Sequence, residues 1–125
     1  MNRKHEIETS YVYFANGHKR QFKIGETANF KQRNTKLWSD ERMQISRYVV
    51  FEGTKDERLF VESYIRMMYT SNCNLEHFGN DHFKTRTENN RKGAENQFFT
   101  MVAEAFAIIE QRKNKKISFT CITEG

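Results

Sequence analysis

Phe22 to Arg33 reads FKIGETANFKQR, an apolar strand-like start, a glycine, a threonine and a basic helix-like run in close succession. Arg33 carries a planar, permanently charged fork that can hold two phosphate oxygens at once, which a lysine cannot do. Lys31 and Lys36 flank it. A second polar run, Lys84, Arg86, Arg91 and Lys92 with Asn89 and Asn90, suits phosphate contacts or a solvated loop. Glu62 has two competing neighbourhoods at helical spacing. Arg58 and Arg66 would make it a surface ion pair, whereas Leu59 and Ile65 would turn it toward a sheet. There a carboxylate needs a partner or a metal, and one carboxylate with waters and phosphate oxygens is a set that Mg²⁺ accepts. Cys73, His77 and His82 form a rival trio for zinc. Three ligands without a fourth, at spacings outside those of zinc fingers, are better accounted for as loop residues.

The balance of charge agrees with a polyanionic partner. The chain has 125 residues, with 21 Lys+Arg against 16 Asp+Glu and a formal net charge of +5. Eleven Phe, five Tyr and one Trp are too many large apolar groups for a disordered chain, and the length suits one compact domain over residues 1–125. The two cysteines, Cys73 and Cys121, lie far apart, which fits a reducing compartment. No stretch has the length and apolarity of a membrane span, and MNRKHEIETS lacks the apolar core of a signal peptide. A cytoplasmic location is the expectation.

The elements that must position these residues follow from local signals. YVYFA and QFKIG read as strands joined through NGHKR, whose Asn16-Gly17 pair favours a tight hairpin turn. Asn29 can cap a short helix from about Phe30 to Leu37, with Gln32 at the capping-box position. ISRYVVF reads as a third strand. Thr54 and Glu57 form a second capping-box pattern ahead of a helix from about Lys55 to Tyr69, in which Leu59, Ile65, Met68 and Tyr69 recur at helical spacing. Thr70 to Asp81 is polar and irregular, and HFKT suggests a brief strand. From Gly93 a long amphipathic helix turns Phe98, Val102, Phe106 and Ile109 inward, and ISFTCIT is a strand or a loose tail. The order gives a small α/β or α+β domain: a central, mostly antiparallel sheet, hairpin first, flanked by helices.

A hairpin of the form Tyr-x-Tyr…Lys-Ile-Gly, an arginine in the next helix and a glutamate in the helix after the third strand together resemble the GIY-YIG nuclease superfamily. The KIG form of the second triplet, followed by a threonine, is similar to its bacteriophage-rich branch. YVY stands at the first triplet and KIGET at the second, over roughly Tyr11 to Thr85. Tyr11, Ile24, Gly25 and Thr27 are then motif residues, with Gly25 and Thr27 shaping the turn from strand to helix. Tyr11 replaces the family's first glycine, which touches packing, and Lys23 stands where many members carry tyrosine.

The resemblance implies a metal-dependent endonuclease acting on double-stranded DNA. Tyr13 would be the general base or proton relay, Arg33 the phosphate clamp and Glu62 the ligand of Mg²⁺, with Mn²⁺ as a substitute. Lys23, side by side with Tyr13 across the hairpin, would favour the phenolate. Lys31, Lys36, Lys84, Arg86, Arg91 and Lys92 would bind nucleic acid. Asn89, Asn90 and Asn96 are equal candidates for the family's late asparagine. One constellation implies one phosphodiester per event, hence nicking by a monomer, with dimerisation on DNA as the other arrangement. A DNA-binding module without chemistry on the same scaffold is the alternative.

Overall fold

The computed structural model describes residues 6–72, 75–77, 79 and 81–124. Strands β1 (Glu8–Asn16) and β2 (Gln21–Thr27) are followed by helix α1 (Phe30–Glu41), strand β3 (Gln44–Gly53) and helix α2 (Lys55–Thr70). Short strands β4 (Leu75–His77) and β5 (His82–Thr85), helix α3 (Glu88–Lys113) and strand β6 (Phe119–Thr123) complete the order. The strands form one six-stranded sheet in the order β4-β5-β2-β1-β3-β6, with every adjacent pair antiparallel. The fold is α+β, with helices on both faces.

Both faces of β1 are buried, as strand alternation under two helical layers requires. Val12 and Phe14 enter the larger core with Phe22, Ile24, Val61, Ile65, Phe98, Val102 and Phe106, contributed by β2, α2 and α3. Tyr13 and Ala15 enter the smaller one with Leu37 of α1 and with Met43 and Ile45. Phe98, Val102, Phe106 and Ile109 are all buried, as their spacing predicts. On α2 the buried stripe is Arg58, Val61, Ile65 and Tyr69, and Leu59 stands off it, half-buried.

Several boundaries differ from the sequence expectation for physical reasons. Asn16 stays in the strand, and the chain reverses over four residues with Lys19 at φ 52°. The Asn16 side chain is already engaged, donating to Glu95 Oε2 at 2.8 Å and accepting from Arg91 Nη1 at 2.8 Å. Asn29 caps α1 by accepting from the Gln32 amide at 3.1 Å, but the helix runs to Glu41 and is closed by Arg42 at φ 56°. The Thr54–Glu57 capping box forms in both directions, at 3.1 and 2.8 Å. The polar stretch before HFKT contains β4, and α3 starts at Glu88, capped by Thr87, which accepts from the Asn90 amide at 3.0 Å. The basic run is therefore strand and helix start, with little loop. The tail is a strand: β6 pairs with β3, and Phe119 stacks on Phe106 with centroids 4.4 Å apart. No helix among the described residues is long and apolar enough to cross a membrane.

Candidate active site at the edge of the hairpin

Tyr13 lies opposite Gly25 across the hairpin, and Ala15 lies opposite Lys23. Tyr13 and Lys23 are thus diagonal neighbours on one face, which corrects the expected side-by-side arrangement. A Cβ on Gly25 would lie well inside contact distance of the Tyr13 hydroxyl and ring. The glycine is required because the tyrosine ring crosses directly over its backbone. Thr27 does shape the strand-to-helix turn: its Oγ1 accepts from the Asn29 amide at 2.9 Å and donates to the Asn29 carbonyl at 3.2 Å. This aims the first turns of α1 back over the hairpin. Tyr11 packs against Phe30 and Tyr48, with centroids at 5.2 and 6.0 Å, and Ile24 is buried in the larger core.

From α1, Arg33 Nη1 donates to the Tyr13 hydroxyl at 3.2 Å and to the Glu26 carbonyl at 3.3 Å. Tyr13 is fully buried. Burial raises its pKa above that of an ordinary phenol, although the bond from Arg33 and the charges of Arg33 and Lys23 act in the opposite direction. The phenol is therefore protonated at neutral pH. Burial also opposes the charge on Arg33, but the Tyr13 oxygen and the carboxylates of Glu26 and Glu62 more than offset it.

Lys23 does not point its charge at Tyr13 alone. Its Nζ lies 3.0 Å from Glu41 Oε2 and 3.9 Å from Asp81 Oδ2. The ring nitrogens of His82 lie 2.8 Å from Asp81 Oδ1 and 2.7 Å from Glu41 Oε1. Burial works against the Glu41 charge, yet the bonds from Lys23 and His82 hold its pKa below the usual carboxylate value.

Glu62 stands on the other side of the sheet, on α2. Among the described residues β5 pairs with β2 only over Gln21–Lys23, so the Gly25–Thr27 stretch of β2 is an open edge around which α1 and α2 can meet. Both neighbourhoods of Glu62 operate: it is mostly buried, and it pairs with Arg66 at 3.3 Å. Arg58 takes no part in that pair. Its Nε donates to Glu26 Oε2, and its Nη1 donates to Glu8 Oε1 at 2.9 Å and Ser10 Oγ at 3.0 Å. Desolvation pushes the Glu62 pKa up to about 7; Glu26 and Asp81 add to the rise, while Arg66 and Arg33 oppose it. A largely buried carboxylate whose desolvation outweighs its pairing with Arg66, in a field of further carboxylates, is a suitable donor for a hard cation. Mg²⁺ keeps several waters and needs only one or two carboxylates, so Glu62 fits it.

Of the remaining candidates, Lys31 and Lys36 are exposed on α1, as are Arg86 and Lys92 beyond β5. Lys84 is half-buried on β5. Arg91 belongs to a separate polar network with Asn16, Glu95, Ser46 and Arg47, and Asn96 accepts from Arg47 at 3.3 Å in the same network. Asn89 and Asn90 border a different small cavity, beside Asn72 and Leu75. For the zinc trio, Cys73 and the His77 side chain lie outside the described residues, and His82 is engaged by Asp81 and Glu41. Among the described residues no group of three or more His, Cys, Asp or Glu converges as a metal cage. The residues that sequence reasoning missed are Glu26, Glu41 and Asp81, while Arg58 and His82 have partners here other than those the sequence suggested. Only Glu26 carried a local signal, by its place within KIGET.

Comparisons with protein-family models, curated proteins and solved structures gave no match.

Proposed function

We propose that the chain is a metal-dependent endonuclease of GIY-YIG type that nicks one strand of duplex DNA per event. The observation that carries this is the Arg33 guanidinium bonded to the Tyr13 phenol across Gly25, beside the open edge of β2 and in the field of Glu62. Arg33 has the geometry to exchange the phenol for phosphate oxygens and hold them bidentately. In hydrolysis a water oxygen bonds to phosphorus and the bond to the 3′ oxygen breaks, leaving a 5′ phosphate and a 3′ hydroxyl. The buried, protonated Tyr13 suits a relay that passes a proton at its hydroxyl more than a standing phenolate base. Glu62 would hold Mg²⁺, which supplies stabilisation of the departing oxygen. Lys31, Lys36, Arg86 and Lys92 remain free to contact phosphates, whereas Arg91 is committed to the fold.

Supercoiled plasmid incubated with the protein and Mg²⁺ should pass to open circle before any linear product, and chelation should stop it. Linear product from the earliest times would require two coordinated sites and a dimer. The complete burial of Tyr13 favours a second reading, a DNA-binding module on the same scaffold without chemistry. That reading predicts a retarded duplex with no nicking under any divalent cation.

A further inference from the structure

On α1, Arg33 and Glu41 face β2 and β5, where they bond Glu26, Lys23 and His82. Trp38, three residues before Glu41, lies beside Gln44 and Ile45 and is 48% exposed; it is the single tryptophan of the chain. Tryptophan is enriched at interfaces, where its apolar body meets a partner and its N–H stays polar. Here the ring borders two adjoining cavities. One, of about 620 Å³, is bordered by His18, Lys19 and Arg42. The other, of about 440 Å³, is bordered by Asn34 and Thr35, and Gln44, Ile45 and Glu124 line both. The Arg42 guanidinium lies over the Trp38 ring, 5.2 Å from its centroid. It is set there by its left-handed backbone, pinned through a bond from its own amide to the Trp38 carbonyl at 3.1 Å. Arg42 borders the first cavity and not the second, so the opposite ring face opens toward Asn34 and Thr35.

We propose that this slot binds one unpaired nucleotide of a DNA strand, its base stacked on Trp38 and its phosphate on the Lys19–Arg42 side. The identification of the strand as DNA rests on the function proposed above. Each wall matches part of that ligand. The indole face supplies a stacking platform that accepts any base. The Asn34 and Gln44 amides and the Thr35 hydroxyl offer donors and acceptors to a base edge. Lys19 and Arg42 supply positive charge. An apolar peptide would find only Ile45 as an aliphatic anchor, and a cationic ligand would meet Arg42 already on the ring.

Because Trp38 is the sole tryptophan, its emission reports the contact directly. With chelator present to prevent cleavage, the protein would be titrated with a short single-stranded DNA, the same sequence as a blunt duplex, and that duplex carrying one unpaired nucleotide. Binding would be followed separately by anisotropy of a labelled strand. The single strand and the bulged duplex should quench emission, and the blunt duplex should quench far less. Trp38→Ala should weaken single-strand binding about tenfold or more, and Trp38→Phe should restore most of it. Single-strand binding with unchanged emission, equal quenching by blunt duplex, or wild-type affinity in Trp38→Ala would each overturn the slot. Plasmid nicking by the wild-type protein is scored on its own. Quenching without nicking would remove the nuclease and leave the slot, and nicking without quenching would do the reverse.

Discussion

On the side of the sheet covered by α2 and α3, Phe14 stacks on Phe22 at 4.6 Å and Phe22 on Phe83 at 5.1 Å, with Tyr69 set edgewise at 5.1 Å from Phe22. On the side covered by α1, the buried set is Tyr13, Ala15, Leu37, Met43 and Ile45, and a phenol at its centre bonds an arginine. The first face ties together four strands and two helices, and its residues can hardly change without cost. The second is small and includes a polar group whose hydroxyl is one bond from the rim. The difference teaches that register enforced on one face also sets which side chains appear on the other. Because strand alternation is strict, anything that fixes Phe14 and Phe22 inward also fixes Tyr13 and Lys23 on the opposite side.

The sharpest test of this division compares one residue from each face. Phe22→Ala should lower unfolding free energy by about 3–5 kcal/mol in urea titrations, since it opens the aromatic stack. Tyr13→Phe should alter stability by only about 1 kcal/mol, the value of one hydrogen bond, while nicking slows by roughly 10²–10⁴. Equal losses of stability in the two variants would break the comparison.

Gly25→Ala bridges the faces, because the added methyl meets the Tyr13 ring from below. A cost of about 1–3 kcal/mol is expected from overpacking, together with loss of nicking. A variant that is destabilised yet still nicks at the wild-type rate would show that Tyr13 need not keep its position over the glycine.

The open edge gives a pH test in metal-free protein. Glu62 binds its proton more tightly when folded, at about 7 against 4.5. Its contribution is therefore fully present below pH 4.5, falls as pH rises to about 7, and is flat above. Glu62→Gln should remove that fall, so it should gain about 1–3 kcal/mol over wild type above this window and little below it. The same variant should lose nicking while still binding duplex. Parallel stability–pH curves for the two proteins would contradict the buried carboxylate.

The smallest effect is expected at Lys23. Arg33 acts on the Tyr13 phenol ahead of Lys23, and Lys23 is shared with Glu41 and Asp81. Lys23→Met should shift the alkaline limb of the nicking profile upward by a fraction of a pH unit, less than Arg33→Met does to the same limb. A larger shift from Lys23 would reverse the order of the two cations.

Much of this arrangement was legible because its signals are local. Asn29 and the Thr54–Glu57 pair announce two helices through side chains bonding within three residues, and Phe98, Val102, Phe106 and Ile109 announce the third. What was not legible depends on distant partners. The polar run ENNRKG hides the first turns of α3, because Thr87 caps it and Tyr69 donates to the Ala94 carbonyl at 2.6 Å across the core. β6 gains its identity from β3 and from Phe106. Arg58 appeared as a neighbour of Glu62, but it is drawn away by Glu26 and Glu8, which no spacing within α2 reveals. Similarly, Lys23 looked like a companion of Tyr13 until the loop length set Gly25 in that place.

The strand order also bears on how the molecule is assembled in time. The central strands β2, β1 and β3 with α1 come from one contiguous stretch, whereas the flanking strands β5 and β6 are contributed from much later in the chain. Hairpin contacts close short loops and form early, and pairing over long separations is slower. A chain growing from its N-terminus at the ribosome would therefore acquire Tyr13, Lys23 and Arg33 as a unit before α2 docks and brings Glu62, and before β5 brings Asp81 and His82. On the function proposed above, the newborn domain would for that interval carry the phosphate clamp without the carboxylate assigned to hold the metal. Competence to cut would arrive as a late event of folding, coincident with closure of the larger core.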